Sequence, residues 1–277
     1  MTMIDTNSLE NIEINLLLDA IYYKYEYDFR HYAKASIKRR IIGFVNKIGL
    51  KSISELIPKI LHDPHTFHSL LNEFSIQVTE MFRDSDLFKL IRVKVLPMMR
   101  TYPYVRIWHA GCSTGEEVYS MAIMLQEENI YDRTTIFATD FNDNALQKAK
   151  AGIYSIENIK QYTENYINSG GIHSFSDYYS AAYDSAIINP ELKDKITFAN
   201  HNLASDSVFG EMNIILCRNV LIYFDKELQT RVLDLFYNSL VHRGYLILGT
   251  KESLEFTPFH DKFELISDKE KIYRRLD

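Results

Sequence analysis

The sequence predicts an α/β fold in which a parallel sheet follows an all-helical N-terminal unit and is interrupted by a small inserted β-subdomain. From residue 104 onward, short apolar strands alternate with longer helical segments, which is the pattern of βαβ units and a parallel sheet. Residues 154–195 break this alternation with a polar stretch that is too long for an ordinary connection. We therefore expect a helical domain at 1–75 and a sheet domain at 76–277 that contains the insertion.

Composition and length fit such a two-part globular protein. The chain has 277 residues, of which 46% are hydrophobic and 25% charged, so it can bury a core and exceeds one average domain. Its net charge of -6 argues against a general binder of nucleic acid or anionic membranes, which needs a basic surface. No signal peptide or long apolar run appears, and Cys112 and Cys217 have no pairing spacing. We therefore expect a cytoplasmic protein without membrane insertion.

The helical domain is divided by charge. Residues 1–28 hold six acidic side chains against one lysine, whereas residues 30–51 hold seven basic side chains and no acid. Within the basic stretch, four apolar residues recur at helical spacing and predict a buried stripe: Ile37, Ile41, Phe44 and Ile48. Two further helices are predicted at 54–61 and 64–74. The basic face has two interpretations, a solvated helix surface or a docking surface for an acidic partner.

The sheet domain is expected to contain five strands and three helices outside the insertion. The strands are predicted at 105–110, 135–139, 196–199, 213–217 and 245–249, and the helices at 115–128, 143–151 and 226–241. Gly244 lies just beyond the last helix, where glycine commonly follows a helix end. The insertion contains Ser169-Gly170-Gly171 and is expected to form an antiparallel ribbon.

A candidate binding site lies where two of these strands end. Residues 108–117 run from a strand through a small-residue turn into a helix, and ligands bind beyond such strand ends in open α/β sheets. Asp140 ends the next strand, 25 residues after Gly115, where nucleoside-binding sheets place a carboxylate for the ribose hydroxyls. The turn has no lysine, and Glu116 and Glu117 would repel a pyrophosphate. This favours a cationic nucleoside such as S-adenosylmethionine over NAD or ATP, with a generic Rossmann turn as the alternative.

Four separated segments resemble those of one family. They are Thr79-Glu80-Met81-Phe82-Arg83-Asp84, AGCSTGEE from Ala110, FATDFNDNALQKAKAGIYS from Phe137 and LCRNVLIYFDKELQTRVL from Leu216. In order and spacing they are similar to the CheR family of chemotaxis receptor methyltransferases, and the resemblance covers nearly the whole chain. It implies the Rossmann-like sheet of class I S-adenosylmethionine-dependent methyltransferases. It also implies S-adenosylmethionine as the cofactor and S-adenosylhomocysteine as the product.

The resemblance assigns cofactor contacts to particular positions. Asp140 would hold the ribose, and Glu117 would lie beside the positively charged end of the cofactor. Arg218, with the asparagine that follows it, would contact the amino-acid end, and the pair Asn202-Leu203 would bracket the adenine. The full set implied for cofactor binding is Gln77, Thr79, Arg83, Ala110, Gly111, Glu117, Asp140, Asn202, Leu203, Arg218 and Asn219.

The reaction implied by the resemblance is methyl transfer to glutamate side chains on the cytoplasmic helical bundle of chemotaxis receptors, giving glutamyl methyl esters. Arg83 and Tyr223 are the catalytic candidates. A guanidinium can bind one carboxylate oxygen and leave the other to attack, while a phenol can orient it. The alternative for both is packing of the cofactor cleft. The alternative for the whole chain is a regulatory module that binds S-adenosylmethionine without methylating a receptor.

The resemblance also assigns partner contacts. Family members use the basic N-terminal face against an acidic methylation region of the receptor. This assigns docking to four residues: Lys34, Lys38, Arg39 and Arg40. The insertion is similar to a subdomain that grips a receptor's C-terminal peptide in some members. Near the cleft, Thr250-Lys251 replaces the family's common His-Ser, a change that bears on acceptor choice.

Neither a metal site nor a nucleic-acid partner is expected. His62, His65 and His68 recur at intervals of three residues, but no cysteine or carboxylate trio completes a site. The place of an amine-methylating NPPY-type motif is taken by residues 217–220, Cys-Arg-Asn-Val. Methylation of nucleic acid therefore has no support in the sequence.

Overall fold

The computed structural model describes residues 6–75 and 79–277, which divide into two compact units. The helical unit comprises the described part of Met1–Ile76 together with Asn202–Asp206 and Ile222–Val232. The sheet unit comprises the described part of Gln77–His201 with Ser207–Leu221 and Leu233–Asp277. The predicted cofactor residue Gln77 lies outside the described residues. None of the helices described is long and apolar enough to cross a membrane.

Four helices begin the chain: α1 (Thr6–Tyr25), α2 (Lys34–Lys47), α3 (Leu56–His62) and α4 (Pro64–Phe74). Local chemistry explains why α4 begins where the sequence predicts. Pro64 takes the first helical position, where a missing N–H costs no hydrogen bond. The carboxylate of Asp63 accepts a hydrogen bond from the His65 N–H at 3.0 Å, which caps the helix.

Helix α2 confirms most of the predicted apolar stripe and corrects one member. Ile37, Ile41 and Phe44 are buried, but Ile48 is 39% exposed, so its assignment to the stripe is wrong. The helix ends at Lys47 and the chain turns at Gly49, which has a φ of 74°. Ile48 therefore lies beyond the end of the helix and outside its buried face, which also includes Val45.

The remaining elements follow in chain order. The strands are β1 (Val105–Ala110), β2 (Thr134–Asp140), β3 (Ile153–Ser155), β4 (Tyr179–Ala182), β5 (Ser185–Ile188), β6 (Ile196–Asn200), β7 (Met212–Cys217), β8 (Leu240–Leu248), β9 (Phe263–Ser267) and β10 (Ile272–Arg275). The helices are α5 (Ser85–Leu90), α6 (Leu96–Met99), α7 (Glu116–Glu127), α8 (Asp143–Ala151), α9 (Ile159–Asn168) and α10 (Lys226–Ser239). A π-helical turn at Ile91–Val95 joins α5 to α6.

Seven strands form the main sheet, in the order β6-β2-β1-β7-β8-β10-β9. The first five pair in parallel, which confirms the parallel sheet, while β10 is antiparallel to both neighbours. The sequence reading missed β9 and β10. It also extended α10 too far, because Leu240 and Val241 belong to β8. Leu240 pairs with Met212 of β7, so the strand ladder takes these residues from the helix.

The insertion forms a second sheet of three antiparallel strands, in the order β3-β5-β4. It also contains α9, a helix that the expected ribbon did not include. Tyr162 and Tyr166 of α9 are buried. After α9, a Cβ on Gly171 would lie 2.2 Å from the Tyr166 ring, so only glycine lets the chain pass this close to the tyrosine.

The strand order determines where the site forms. Strands β2, β1 and β7 are adjacent and parallel, so their carboxyl ends meet at one edge of the sheet. Helix α7 covers these strands with a fully buried apolar face that includes Val118, Met121 and Ala122. The residues that follow the three strands are therefore brought together on a rigid base.

Candidate active site

The turn after β1 is held tightly against the end of β2. The N–H groups of Gly111 and Cys112 both donate to the Thr139 carbonyl oxygen, each at 2.8 Å. Gly111 has a φ of 80°, and a Cβ there would lie 2.6 Å from Cγ2 of Val220. Gly115 has a φ of 91°. Both glycines thus occupy left-handed backbone positions, and the turn leaves room for a ligand to approach the main chain.

Asp140 ends β2 with a buried carboxylate that the backbone orients. Its Oδ2 accepts a hydrogen bond from the Ser113 N–H at 2.9 Å, and its Oδ1 accepts one from the Asn142 N–H at 3.0 Å. Burial raises the pKa of Asp140, and hydrogen bonds from the backbone of these residues and of Phe141 oppose the rise. A carboxylate fixed through both oxygens still has lone pairs for the two hydroxyls of a ribose.

A charged network lies on the neighbouring strand ends. Arg218, whose side chain is 4% exposed, donates from Nη1 to Oε2 of Glu117 at 2.7 Å and from Nη2 to Oδ2 of Asp84. The second Glu117 oxygen lies 2.9 Å from Nδ1 of His109. Burial raises the pKa of Glu117, but Arg218 and His109 outweigh burial and lower that pKa to about 2. Glu117 is therefore ionised at neutral pH.

Three buried polar atoms in this part of the sheet unit have no hydrogen-bond partner among the described residues. They are Nε2 of His109, Oγ of Ser113 and Nε of Arg218. Buried polar groups are usually satisfied by protein, water or ligand, so these atoms indicate a site built for a further polar molecule. With Asp140 for hydroxyls, Glu117 for an ammonium and Arg218 for a carboxylate, the residues present fit S-adenosylmethionine.

Glu116 and Glu117 are adjacent in the sequence but differ chemically. Glu116 is 6% exposed, and Oγ1 of Thr114 donates to its Oε2 at 2.7 Å. Burial raises the pKa of Glu116 to about 7, against the hydrogen bond from Thr114. Among the described residues no arginine pairs with Glu116, so its pKa is not lowered as that of Glu117 is. The buried thiols of Cys112 and Cys217 also have pKa values raised well above normal by burial, so neither is a nucleophile at neutral pH.

Arg83 lies on a strained loop that is held from three sides. Phe82 and Asp84, on either side of it, have φ values of 52° and 58°, a conformation that costs non-glycine residues about 1–3 kcal/mol each. The Phe82 N–H donates to Oγ of Ser120 on α7 at 2.8 Å, and Nδ2 of Asn165 on α9 donates to the Met81 carbonyl oxygen at 3.0 Å. The third anchor is the ion pair between Asp84 and Arg218. The loop therefore fixes the main chain on both sides of Arg83 and connects it to the charged network.

The sheet unit brings together the predicted residues Gly111, Glu117, Asp140, Arg218 and, through Asp84, Arg83. Ala110 ends β1 just before the turn, and Thr79 is half-buried at the start of the loop. The other assigned residues, Asn202, Leu203 and Tyr223, belong to the helical unit. Asn202 and Leu203 are buried in a short turn in which Oδ1 of Asn202 accepts the Ala204 N–H at 3.0 Å.

The four residues assigned to docking do not share one environment. Lys34 and Arg39 are exposed and have no acidic partner within 4.0 Å among the described residues. Lys38 forms an ion pair with Glu10 at 2.5 Å, and Arg40 is half-buried. The acidic and basic segments of the sequence thus neutralise each other in part, and among the four assigned residues Lys34 and Arg39 are the exposed ones.

Sequence reasoning missed Glu252 as a residue of the site. Its side chain is 4% exposed and accepts three backbone N–H bonds, from Asn219 at 3.0 Å, Val220 at 2.8 Å and Gly249 at 2.6 Å. Asn219 has a φ of 60°, so these bonds hold a strained residue of the predicted cofactor site. The signal in the sequence was a carboxylate three residues after the glycine that follows a strand, Gly249 to Glu252.

We expect Glu252→Gln to lower the free energy of unfolding by about 3 kcal/mol, because the amide supplies one acceptor oxygen where three N–H groups need two. S-Adenosylmethionine affinity should fall as well, since the loop that carries Arg218 and Asn219 loses its anchor. Urea denaturation and calorimetric titration measure the two effects. Glu255→Gln, an exposed change in the same loop, is the control. Equal stability in the two variants would contradict the assignment.

Comparison with known proteins identifies the family. The family described as CheR methyltransferase, SAM binding domain, matches residues 77–272, and its all-alpha domain matches residues 12–75. The chain is 52% identical over 265 residues to a putative methyltransferase, Cher3, of Pseudomonas putida, covering 96% of this chain and 97% of that protein. It is 31% identical over 242 residues to chemotaxis protein methyltransferase 1 of Vibrio cholerae, covering 83% and 84%. Among solved structures, the N-methyltransferase NodS of Bradyrhizobium japonicum is 12% identical, with a TM-score of 0.35 over 62% of this chain and 63% of that one.

The family match spans both the sheet unit and the N-terminal helices, and the site residues fit the cofactor that the family's domain binds. The chain therefore belongs to the CheR methyltransferase family, and it is an S-adenosylmethionine-dependent methyltransferase.

Proposed function

We propose that this enzyme methylates glutamate side chains on the cytoplasmic helical bundle of chemotaxis receptors, forming glutamyl methyl esters. The observation that carries the proposal is the position of Arg83. Its loop is tied through Asp84 to Arg218, so the residue next to Arg83 in the chain is joined to the groups that fit the cofactor's charged end. A cation at this point suits an acceptor that is itself anionic.

An anionic acceptor also explains how the reaction proceeds without a general base. A free glutamate with a pKa of about 4.3 is about 99% ionised at pH 7, so its oxygen arrives ready to attack. The bound cofactor supplies an electrophilic methyl group, and the carbon–oxygen bond forms as the carbon–sulfur bond breaks and its electron pair stays on sulfur. The protein's part is orientation of the carboxylate, a role for which the family resemblance assigns Arg83 and Tyr223. Asp140 and Glu117 hold the cofactor in position for the transfer.

The names of relatives support the receptor as the acceptor. Proteins of Vibrio cholerae and of other bacteria that are about 30% identical to this chain are described as chemotaxis protein methyltransferases. We propose that Lys34 and Arg39, two exposed cations of α2 with no acidic partner within 4.0 Å among the described residues, dock an acidic stretch of the receptor bundle. Electrostatic complementarity of this kind mainly increases the association rate and selects the partner.

The test is to incubate the enzyme with tritiated S-adenosylmethionine and purified receptor cytoplasmic fragments. Alkali-labile release of methanol from labelled receptor supports ester formation. Label that resists alkali indicates an amine or another acceptor and would overturn the proposal. Cofactor binding without any transfer to receptor would favour the alternative, a regulatory module that only binds S-adenosylmethionine.

We expect Arg39→Glu to raise the KM for receptor about tenfold at low salt, because an exposed cation that faces an acidic partner becomes repulsive. The effect should shrink at high salt, where such exposed charges are screened. The matched control is Lys51→Glu, which makes the same charge change at an exposed site beyond the end of α2. If the two variants gave the same KM, the solvated-surface interpretation of α2 would hold instead. Affinity for S-adenosylmethionine should be unchanged in both.

A further inference from the structure

Arg40 lies next to Arg39 on α2 but points to a different environment. Its guanidinium carbon is 5.7 Å from the centre of the Tyr223 ring, within the range of a cation–π interaction. Nη1 of Arg40 donates to the Glu73 carbonyl oxygen at 2.5 Å, and Nε donates to Oγ of Ser36 at 3.4 Å. The side chain is thus half-buried and held by contacts inside the helical unit, whereas Arg39 is exposed.

The backbone around Tyr223 is tied to the segment that leads into α2. The Ala33 N–H donates to the Tyr223 carbonyl oxygen at 2.7 Å, and the Asp225 N–H donates to the His31 carbonyl oxygen at 2.9 Å. Between these bonds, Tyr32 and Phe224 form an antiparallel bridge and their rings are 5.0 Å apart. These bonds therefore fix the main chain at Tyr223, and Arg40 lies near the ring that this main chain carries.

We propose that Arg40 is a positioning residue for Tyr223, holding the phenol ring in the orientation that methyl transfer needs, rather than part of the receptor-docking surface. This inference rests on the proposed function, in which Tyr223 aligns the acceptor carboxylate. It separates two adjacent arginines by task. Arg39 binds the receptor, and Arg40 orients the Tyr223 ring inside the helical unit.

The electrostatic environment agrees with this separation. Burial lowers the pKa of Arg40 and the nearby charge of Arg39 lowers it further, while Tyr223 and Glu73 oppose both effects. The guanidinium stays charged, since arginine titrates far above neutral pH. A partly desolvated cation over an aromatic ring interacts more strongly than an exposed one. A docking residue, by contrast, works best when it is exposed to its partner.

The experiment compares receptor methylation by wild type, Arg40→Gln and the control Arg39→Gln, with kcat and receptor KM measured at low and high salt. We expect Arg40→Gln to lower kcat about tenfold and to leave KM and its salt dependence unchanged. Arg39→Gln should do the reverse. In a Tyr223→Leu background, Arg40→Gln should cause no further loss of kcat, because the ring that it orients is absent.

The possible outcomes distinguish a positioning role of Arg40 from a docking role. A higher, salt-dependent KM with normal kcat in Arg40→Gln, or additive losses in the double variant, would overturn the positioning role. If Arg40→Gln does not fold, Arg40→Lys keeps the cation without the planar fork, and it should lower kcat by a smaller factor at constant KM. A normal kcat in that folded variant would also overturn the role. If wild type forms no alkali-labile product, the proposed function fails first, and that failure is visible without any variant.

Discussion

Asp140→Asn should weaken S-adenosylmethionine binding on the order of a hundredfold, measured by isothermal titration calorimetry. The buried carboxylate accepts hydrogen bonds through both oxygens, and hydrogen bonds to a charged group contribute about 1.5–3 kcal/mol each. Asparagine keeps the shape but has one acceptor oxygen and an N–H₂ that cannot accept from a hydroxyl or from the backbone. The cofactor's two ribose hydroxyls therefore lose their shared acceptor. This is the largest binding effect that we expect from one substitution.

The control for Asp140→Asn is Asp143→Asn, three residues further along the chain. Asp143 is exposed at the start of α8, where its carboxylate accepts a hydrogen bond from Nδ2 of Asn200 at 2.8 Å. Asp143→Asn removes the same negative charge at a side chain that does not face the expected ligand. Thermal unfolding of both variants separates loss of binding from loss of fold. Undiminished affinity in a folded Asp140→Asn protein would remove the ribose assignment.

Arg83→Ala should reduce kcat by at least about a hundredfold while cofactor affinity falls much less. The physical reason is orientation: a guanidinium that fixes one carboxylate oxygen places the other for in-line attack, and correct alignment contributes several kcal/mol to such steps. Arg83→Lys should recover only part of the rate, because an ammonium lacks the planar fork. Single-turnover methylation with saturating S-adenosylmethionine measures the rate, and calorimetric titration measures affinity.

Arg106→Ala is the matched control, since this arginine is exposed on β1 and has no proposed role. It should behave as wild type in both measurements. Were the Arg83 variant to lose affinity in proportion to rate, its guanidinium would be a cofactor contact and not an acceptor contact. Tyr223 would then be the one remaining catalytic candidate of the two.

The parts of the fold that the sequence predicted well are those determined by local chemistry. Helix α4 begins at Pro64 behind the Asp63 cap, and α8 follows Asn142, whose side chain accepts backbone N–H bonds at the helix start. Strands β1, β2 and β7 were recognisable because buried parallel strands are short, continuous apolar runs. The errors occur where distant partners decide. Pairing with β7 converts Leu240 and Val241 from helix to strand, and β10 forms a strand only against β8 and β9.

The charged segments of the helical unit also show a difference between what the sequence predicts and what folding decides. The sequence separates acids and bases into two neighbouring segments, which predicts a strongly basic helix. In the structure, Lys38 pairs with Glu10 and Lys47 pairs with Glu73 at 2.6 Å, so folding neutralises part of that basic run. Which cations remain exposed depends on how α1, α2 and α4 pack. Counting charged residues along the sequence cannot show which cations stay exposed.

By itself the sequence determined the family and its cofactor, because four separated segments resemble one family. A glycine turn and an acid at a strand end also predicted a nucleoside site, because these short patterns have their own chemistry. The tertiary structure decided how those groups are held. Glu252 anchors the strained Asn219 across 33 residues, and Asp84 reaches Arg218 across 134. Arg40 turns from the surface toward Tyr223. Such contacts depend on the relative placement of whole elements, which hydrophobic burial and strand pairing determine together, so they become visible only once the chain is folded.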